Sequence, residues 1–384
     1  MVRKTARNAP MNARERVLAA LNHQEPDRPP RDLGSTTATG IHPRAYLALK
    51  EHLGLGGSWT YLSARAQLAR VEAAVLDRFQ IDCLPLIPAA AAEPPALDAQ
   101  RAYVDRWGVE RRLPSEGGHY YVSGPPLVSA ERASDLGAYD WPEPCTDFAH
   151  LGEEAARLRA TTDKALVLNL EVGFLHQTQF VRGFDRWLMD LAADPAFAEA
   201  LMDAILDVWL AEAEATMRAV GDCADVVVYA DDIAFQDRPM FSTAMYRRLI
   251  RPRQRRVFDL LGRSGMKVFY HSCGNVRPLI ADLVELGVDI LNPVQVSAEG
   301  MGDTAALKAE WGDALTFWGG IDTQAVLPRG STDDVRREVV QRLDDLAAGG
   351  GYVLAPVHDV QPEVPAANLC AMFDAAGEWE GHER

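Results

Sequence analysis

The sequence lacks any apolar run near the roughly 20 residues that span a bilayer, and its basic start lacks the apolar core of a signal peptide. We therefore expect a cytoplasmic protein without a membrane partner, with a disordered leader over residues 1–10 and a single domain over residues 11–384. Basic side chains are also scarce, since 39 lysines and arginines stand against 55 acidic residues and give a formal net charge of −16. So acidic a chain is not expected to bind nucleic acid.

Cysteine is scarce as well. The five cysteines are odd in number and widely spaced, which excludes a disulfide framework and fits a reducing compartment. No G-x-G-x-x-G sequence follows the first predicted strand, so the usual indication of a dinucleotide-binding sheet is missing. What the chain has instead is a large apolar fraction, 48% of 384 residues, which is enough for a sizeable core.

Eight short strand-like runs, each followed by a helical pattern, repeat along the chain. Several are apolar at nearly every position, which is typical of strands covered on both faces. They span residues 28–33, 81–87, 165–172, 225–231, 267–273, 289–294, 315–321 and 351–358. The repeat predicts a parallel (β/α)8 barrel after an N-terminal helical segment, with an open doubly wound sheet as the alternative. The first run is the weakest prediction, because Pro29 and Pro30 cannot donate hydrogen bonds to a neighbouring strand.

One segment, residues 88–146, does not fit this repeat, and we interpret it as an insertion between the second and third strands. Two strand-like stretches within it, 103–109 and 119–122, predict a hairpin around residues 115–118. We expect the insertion to cover part of the barrel mouth. Its aromatic side chains either wall an aromatic pocket or pack on the hairpin itself: Tyr103, Trp107, Tyr120 and Tyr121.

Catalytic groups of a (β/α)8 barrel gather at the C-terminal ends of its strands. Glu171 ends an apolar run, where an unpaired carboxylate is costly, so a functional role is favoured. Asp231 and Asp232 form a carboxylate pair that either orients a substrate and supplies an acid, or only caps a helix and solvates a loop. These three are the predicted catalytic residues. The predicted substrate-binding residues near the same rim are Tyr229, Gln236, Asn275, Gln295 and Asp322.

A candidate metal site lies at the end of the fifth predicted strand. Residues two apart on a strand point to the same face, so His271 and Cys273 leave that strand side by side. His358 ends the eighth predicted strand and can converge on them over the barrel mouth. Two imidazoles and a thiolate form a ligand set suited to zinc. In the alternative interpretation, the pair closes a packed layer of the barrel and His358 bonds a loop carbonyl.

Several short segments resemble the uroporphyrinogen decarboxylase superfamily, and its methyltransferase-like branch most of all. They are MNARERVLAAL at 11–21, EPDRPP at 25–30, VRGF at 181–184, the pair at 231–232, HSCGN at 271–275, WGGIDTQ at 318–324 and GGGY at 349–352. The resemblance implies a (β/α)8 barrel, in agreement with the strand count, and a homodimer. It also implies that methyl groups move to or from a corrinoid (cobalamin) that a partner protein carries.

The chain departs from both known branches of that superfamily. True decarboxylases carry Met-Arg-Gln-Ala-Gly-Arg after the first strand, where residues 31–36 here read RDLGST, so the clamping arginines are missing. Thiol-methylating members hold zinc with a His-x-Cys pair and a later cysteine, and His358 stands where that cysteine is expected. Because two imidazoles and one thiolate leave zinc more electrophilic, the sequence favours activation of an ether oxygen.

We therefore expect a zinc-dependent methyltransferase that demethylates a small substrate, plausibly a methoxylated aromatic, with a corrinoid protein as partner. The alternatives are a zinc-dependent thiol methyltransferase and a metal-free decarboxylase of a small carboxylated substrate. A third hypothesis is a barrel without activity of its own that binds an acidic partner through an arginine-rich helix. That helix carries Arg247, Arg248, Arg251, Arg253, Arg255 and Arg256, although such a run is most often a solvated face.

Overall fold

The computed structural model describes residues 10–115, 119–170 and 172–379. Its strands are β1 Tyr61–Ser63, β2 Leu68–Ala69, β3 Cys83–Leu86, β4 Ala102–Val104, β5 Glu110–Arg112, β6 Tyr121–Gly124, β7 Ala165–Asn169, β8 Val226–Ala230, β9 Lys267–His271, β10 Ile290–Asn292, β11 Thr316–Ile321 and β12 Tyr352–Pro356. The predicted leader, 1–10, lies outside the described residues except for Pro10, and so does Glu171.

Helices follow or precede nearly every strand of this series. They are α1 Ala13–Leu21, α2 Pro43–His52, α3 Ala73–Phe79, α4 Ala133–Gly137, α5 Ala149–Thr161, α6 Phe174–Arg182, α7 Phe184–Ala193, α8 Pro195–Val220, α9 Thr243–Met245, α10 Arg251–Gly262, α11 Ile280–Leu286, α12 Thr304–Trp311, α13 Val326–Arg329, α14 Thr332–Leu346 and α15 Ala366–Glu378. A π-helical turn, Tyr246–Ile250, joins α9 to α10. Within the described ranges, no helix is both long and apolar enough to cross a membrane.

A curled parallel sheet of seven strands forms the centre of the molecule, in the order β3-β7-β8-β9-β10-β11-β12. Arg31 closes the sheet into a barrel, because it bridges Leu354 of β12 in parallel and its carbonyl accepts the N–H of Asp82 beside β3. The predicted (β/α)8 barrel is therefore confirmed. The predicted first strand, 28–33, is reduced to this single bridge, since prolines cannot supply the missing ladder hydrogen bonds.

Apolar side chains fill the barrel in one inner layer, and a larger apolar layer packs between strands and helices. Val226 and Val228 of β8 point inward while Val227 points outward, as the alternation of a strand requires. Val17 and Leu21 of α1 belong to the inner layer. Helix α1 therefore covers the N-terminal end of the barrel.

A buried carboxylate fastens the N-terminal segment to the same end of the barrel. Asp82 is fully buried, and it accepts hydrogen bonds from Arg16 at 2.7 Å and from Arg28 at 2.8 and 2.9 Å. It also accepts the backbone N–H of Arg31 at 2.9 Å. This arrangement satisfies a charge that would otherwise be costly to bury.

The segment between β3 and β7 forms an antiparallel sheet of three strands in the order β4-β5-β6. Asp105 makes the turn between β4 and β5, because its carboxylate accepts the backbone N–H groups of Trp107 and Val109. The stretch predicted as one strand, 103–109, is therefore the end of one strand and a turn. The predicted hairpin tip at 115–118 lies partly outside the described residues.

Candidate metal centre

His271, Cys273 and His358 come together at the C-terminal rim of the barrel. His271 ends β9, Cys273 follows two residues later, and His358 follows β12. One ligand atom from each lies within 4.8 Å of those of the other two. Cys273 Sγ is 3.6 Å from His271 Nε2, and the two imidazole rings are 5.5 Å apart between centroids. The structure thus brings all three predicted metal ligands into one cluster.

Asn292 fixes the orientation of His271. Its Oδ1 lies 2.6 Å from His271 Nδ1, while its Nδ2 donates to the carbonyl of Trp318 at 2.9 Å. Because the amide nitrogen is committed to a carbonyl, the amide oxygen must accept from a protonated Nδ1. The lone pair of His271 therefore lies on Nε2, the atom that faces Cys273. Asn292 is fully buried at the end of β10, in register with His271.

Asp359 performs the same task for His358, since its Oδ1 contacts His358 Nδ1. Burial opposes protonation of His358, but the Asp359 carboxylate outweighs it and raises the pKa of His358 well above the ordinary value. The His358 side chain is still 43% exposed, whereas that of Asp359 is 5% exposed. The carboxylate is therefore buried, and the imidazole that it orients is partly open to solvent.

The Cys273 thiol is prepared for ionisation. Burial alone would raise its pKa, but the adjacent His271 and His358 imidazoles lower the pKa of Cys273 to about 7. The backbone N–H of Cys273 donates to Asp232 Oδ1 at 2.7 Å, which fixes the chain at this point. Because the thiolate is the form of cysteine that binds metals, a useful fraction of it is present at neutral pH.

The cluster fits a zinc ion. Zinc bonds of about 2.3 Å to sulfur and about 2.05 Å to nitrogen in tetrahedral geometry set a sulfur–nitrogen separation of about 3.6 Å. The separation between Cys273 Sγ and His271 Nε2 is 3.6 Å. The ligand atom of His358 lies within 4.8 Å of those of both other residues. Three protein ligands leave a fourth position open for substrate or water.

Asp231 does not face this cluster directly. It is fully buried, and its carboxylate accepts the backbone N–H groups of Leu175 at 3.0 Å and His176 at 2.8 Å, as well as the hydroxyl of Tyr229. It thereby caps the N-terminus of α6 from a neighbouring strand. The helix approaches so closely that a Cβ on Gly173 would collide with the Asp231 carboxylate. These contacts give Asp231 a structural task, and its predicted catalytic role stays a prediction.

Asp232 lies between Cys273 and a histidine that sequence reasoning missed. His176 Nε2 is 3.6 Å from Asp232 Oδ2, and His176 Nδ1 is 3.3 Å from Asp231 Oδ1. Burial works against the protonated imidazole, but the two carboxylates outweigh it and raise the pKa of His176 to about 10. Burial also works against ionised Asp232, but His176 outweighs it and lowers the pKa of Asp232 below the ordinary value. At neutral pH the site therefore contains an imidazolium beside an ionised Asp232.

Three of the predicted substrate-binding residues fix the loop that follows Cys273. Gln295 accepts the N–H of Gly274 at 2.6 Å and donates to Gln236 at 3.0 Å. Asn275 donates to the carbonyl of Asp237 at 3.2 Å, while its buried Oδ1 has no hydrogen-bond partner. Asn275 therefore retains an acceptor for a ligand, whereas the amide groups of the glutamine pair are occupied with the loop and with each other.

The remaining two predicted substrate-binding residues lie within the structural framework. Asp322 accepts the N–H groups of Gln324 at 2.8 Å and Ala325 at 3.0 Å, which starts the short helix α13. Tyr229 is fully buried and stacks on Tyr270 with ring centroids 5.6 Å apart. Their substrate-binding roles stay predictions. The structure gives both of them packing or capping contacts instead.

A cavity of about 590 Å³ opens beside the cluster at the ends of β7 and β8. Asn169 and Ala230 form its floor, and Ala230 pairs in register with His271. A second space of about 370 Å³ contains His358 and shares Thr37 and Ala66 with the first. The insertion contributes much of the wall: Tyr103, Asp105, Arg106, Trp107, Arg111 and Cys145. The cavity thus extends from beneath the insertion towards the metal ligands.

The fold and the site define an enzyme built on an α/β barrel with reactive groups at its C-terminal rim. The chain belongs to the uroporphyrinogen decarboxylase (URO-D) family, whose model matches residues 12–379. A solved methyltransferase from Methanosarcina mazei superposes with a TM-score of 0.65 at 20% identity, over 96% of this chain and 99% of that chain. This likeness shows the shared fold.

A second solved structure is more distant. The endo-fucoidan hydrolase MfFcnA9 from glycoside hydrolase family 107 superposes with a TM-score of 0.33 at 12% identity, over 94% of this chain and 64% of that chain. A likeness of that size carries no functional argument. Among curated proteins, none matches the chain.

Proposed function

We propose that this protein is a zinc-dependent methyltransferase that transfers a methyl group from a small methoxylated aromatic to a corrinoid carried by a partner protein. The observation that carries the proposal is the His271, Cys273 and His358 cluster at the rim, beside a cavity walled by aromatic side chains. The likeness of the fold to that of a methyltransferase supports it. When bound to the cluster, zinc would supply a Lewis acid for the departing ether oxygen.

The reaction breaks the bond between the methyl carbon and the ether oxygen. The methyl group would pass, without its bonding pair, to the reduced corrinoid of the partner protein; the pair would stay on the oxygen, and a proton would convert the phenolate to a phenol. His176 is the group near Asp232 that holds a proton at neutral pH, because its pKa is raised to about 10. Asp232, ionised under the same conditions, orients that imidazolium and the Cys273 backbone. We assign proton delivery to this pair.

The supporting residues keep the ligand atoms aimed at one point. Asn292 and Asp359 each hold the Nδ1 edge of one imidazole, so both Nε2 atoms are available to a metal. The insertion covers the neighbouring cavity and reduces access of water to the reacting bond. The predicted aromatic wall includes Tyr103 and Trp107. Tyr121 is 49% exposed and is not among the residues that line the cavity.

A thiol-methylating enzyme is the second candidate that the His-x-Cys pair allows. Two thiolates donate more charge to zinc than one thiolate with two imidazoles, and so make a zinc-bound substrate thiol a better nucleophile. Among the described residues, the cluster contains one cysteine. The donor set therefore favours an electrophilic metal and the demethylating direction.

A metal-free decarboxylase would need cationic side chains at the mouth to hold a carboxylate. The sequence offers Arg28, Arg31 and Arg182 for this purpose. Arg28 bonds Asp82, Arg31 bonds the carbonyl of Phe79 at 3.3 Å, and Arg182 is occupied with an aspartate and backbone carbonyls. None of these three arginines is therefore free to hold a substrate carboxylate.

A partner-binding role of the arginine-rich helix is also not favoured. Arg247 and Arg251 pair with Asp282 on α11, and Arg251 pairs with Glu285 as well. Arg253 bonds Asp203 on α8 at 2.7 Å. The positive charges are thus largely balanced by acidic side chains of neighbouring helices. The helix therefore has little unbalanced positive charge with which to bind an acidic partner.

Metal content and phenol release together test the proposed function. Purified protein should contain about one equivalent of zinc, and should release 2-naphthol from 2-methoxynaphthalene when a reduced corrinoid protein is added. His271→Ala and Cys273→Ser should each lose both zinc and activity. Cys223→Ser and His150→Ala, which change the same residue types away from the cluster, should lose neither.

Two results would contradict the proposal. The first is less than about a tenth of an equivalent of zinc with no gain in activity when zinc is added. The second is phenol release that persists in strong chelator after the bound metal has been removed. Activity that tracks zinc content across the four variants would support it.

A further inference from the structure

We infer that the cavity beneath the insertion binds an uncharged, multi-ring aromatic ligand whose oxygen substituent accepts a hydrogen bond from Gln177. The inference rests on the proposed function in one respect, that this ligand is the methyl-bearing substrate. The ligand's size, charge and polar contact follow from the cavity alone.

The size of the cavity points to more than one ring. A cavity of about 150 Å³ holds a benzene molecule, and the cavity here has a volume of about 590 Å³. A single methoxylated ring would therefore leave most of the space to water. Pockets of this volume bury drug-sized ligands. A ligand with two or more fused or linked rings fills the space better.

The walls favour flat apolar surfaces. Trp107 of the insertion and Trp209 of α8 both line the cavity and are themselves 7% and 4% exposed. Phe148 and Tyr103 extend the apolar lining. An aromatic ligand packed against these rings is stabilised both by burial of apolar area and by offset or edge-to-face ring contacts. An aliphatic ligand of the same volume would be stabilised only by burial of apolar area.

Of the charged side chains that line the cavity, all but the exposed Glu93 already interact with other groups of the protein. Arg106 forms a two-pronged ion pair with Glu212, in which Nη2 lies 2.6 Å from Oε2. Arg111 is buried, and its Nε donates to Asp105 at 2.7 Å. Arg65 is likewise engaged with other groups of the protein. An anionic ligand would have to break one of these interactions to gain a partner, and a cationic ligand would meet only the solvent-exposed Glu93, so an uncharged ligand is favoured.

Among the described residues that line the cavity, one has a buried side-chain nitrogen without a hydrogen-bond partner. Gln177 on α6 lines the cavity and is 5% exposed, and its Nε2 makes no hydrogen bond. A buried donor without an acceptor is costly, and a ligand oxygen placed there removes the cost. Gln179 on the same helix has the same side chain, is 8% exposed and also has an unpaired Nε2, but it does not line the cavity. The chain thus contains a matched control.

Equilibrium dialysis of the zinc-loaded full chain, without corrinoid, tests the inference with four probes. 2-Methoxynaphthalene should bind at least about tenfold more tightly than anisole, because a second ring buries more apolar area. It should also bind at least about tenfold more tightly than 6-methoxy-2-naphthoate, whose carboxylate has no free cation to meet. Naphthalene, which lacks the oxygen, should bind about 3- to 10-fold more weakly than 2-methoxynaphthalene.

Variants separate the hydrogen bond from general packing. Gln177→Leu should weaken binding of 2-methoxynaphthalene about 3- to 10-fold and leave naphthalene unchanged or improved, whereas Gln179→Leu should change neither. Ala213→Trp, which fills the cavity from α8, should abolish binding of both naphthalenes. Melting curves establish that each variant is folded, and a Gln177→Leu protein that does not fold leaves the Ala213→Trp comparison as the deciding test.

Equal binding of anisole and 2-methoxynaphthalene, tighter binding of the naphthoate, or equal effects of Gln177→Leu and Gln179→Leu would overturn the inference. The proposed function fails separately. Tight binding of 2-methoxynaphthalene without any release of 2-naphthol would contradict the proposed methyl transfer and support the ligand class inferred for the cavity. Demethylation of anisole without binding of either naphthalene would support methyl transfer and contradict the ligand class inferred for the cavity.

Discussion

Replacing Asn292 by alanine removes a buried side chain that orients His271, one of the three proposed metal ligands. In the native protein, Asn292 Oδ1 accepts from His271 Nδ1 at 2.6 Å, and Nδ2 donates to Trp318 at 2.9 Å. Without that acceptor, the buried imidazole loses the bond that selects its tautomer and its rotation. Nε2 then spends part of its time protonated or turned away from Cys273.

The expected loss of zinc affinity is about 10- to 100-fold, the usual effect of removing an outer hydrogen bond to a ligating histidine. This corresponds to about 1.4 to 2.7 kcal/mol of binding free energy. The fold should also lose about 1 to 3 kcal/mol, because the carbonyl of Trp318 is left without its donor. The stability loss must be separated from the loss in metal affinity.

Asn368→Ala provides that separation. Asn368 is also buried, and it donates to the carbonyls of Leu327 and Gly330, both at 2.8 Å. None of these residues belongs to the cluster. The Asn368→Ala variant should lose a similar amount of stability in urea titrations and keep its zinc affinity. Zinc affinity is measured by competition with a chelator of known strength. Cobalt substituted for zinc in Asn292→Ala should retain a thiolate charge-transfer band, since Cys273 is unchanged.

If Asn292→Ala binds zinc within about twofold of wild type, Asn292 does not orient His271 for the metal, because the loss of that hydrogen bond should cost more. This role of Asn292 would also be contradicted by Asn368→Ala weakening zinc binding as strongly, because the effect would then follow from stability alone.

Two further predictions concern stability. Asp82→Ala leaves Arg16 and Arg28 without their buried partner and should lower the free energy of unfolding by about 3–5 kcal/mol in urea; a loss under about 1 kcal/mol would show that water replaces the carboxylate. The second prediction concerns His176, whose pKa is raised to about 10 by Asp231 and Asp232. Its ion pairing stabilises the fold fully below the unfolded value of ~6.5 and is lost as the pH rises through about 10. His176→Gln should therefore destabilise the protein more at pH ~6 than at pH ~9.5, and an equal loss at both would contradict the assignment.

Much of the barrel could be predicted from the sequence, because its central strands are apolar on both faces and stand apart from the amphipathic helices. Seven of the eight predicted runs contain a strand of the central sheet. The first run does not, since two prolines leave Arg31 alone to close the barrel. The insertion was harder to predict, because the turn at Asp105 depends on side-chain hydrogen bonds to the backbone rather than on a glycine-rich pair.

The convergence of His271, Cys273 and His358 was predictable from the two-residue period of a strand and from the tendency of barrel strands to end at the active site. His271 and Cys273 follow from the first rule, and His358 follows from the second. His176 and Gln177 were missed because they lie on α6, where the sequence indicates an ordinary buried helix face. Only the packing of that helix against Asp231 brings them to the rim. The signal that could have found them is their position in the first turns after a barrel strand.

Helix α1 has a consequence for the order in which the reactants meet. Val17 and Leu21 fill the barrel from its N-terminal end, so access to the cluster is from the opposite rim. In the proposed reaction, the small substrate and the corrinoid protein would therefore both approach the cluster from this one side of the molecule. Under the proposed function, the small substrate would have to bind before the protein partner docks, because the two share one entrance.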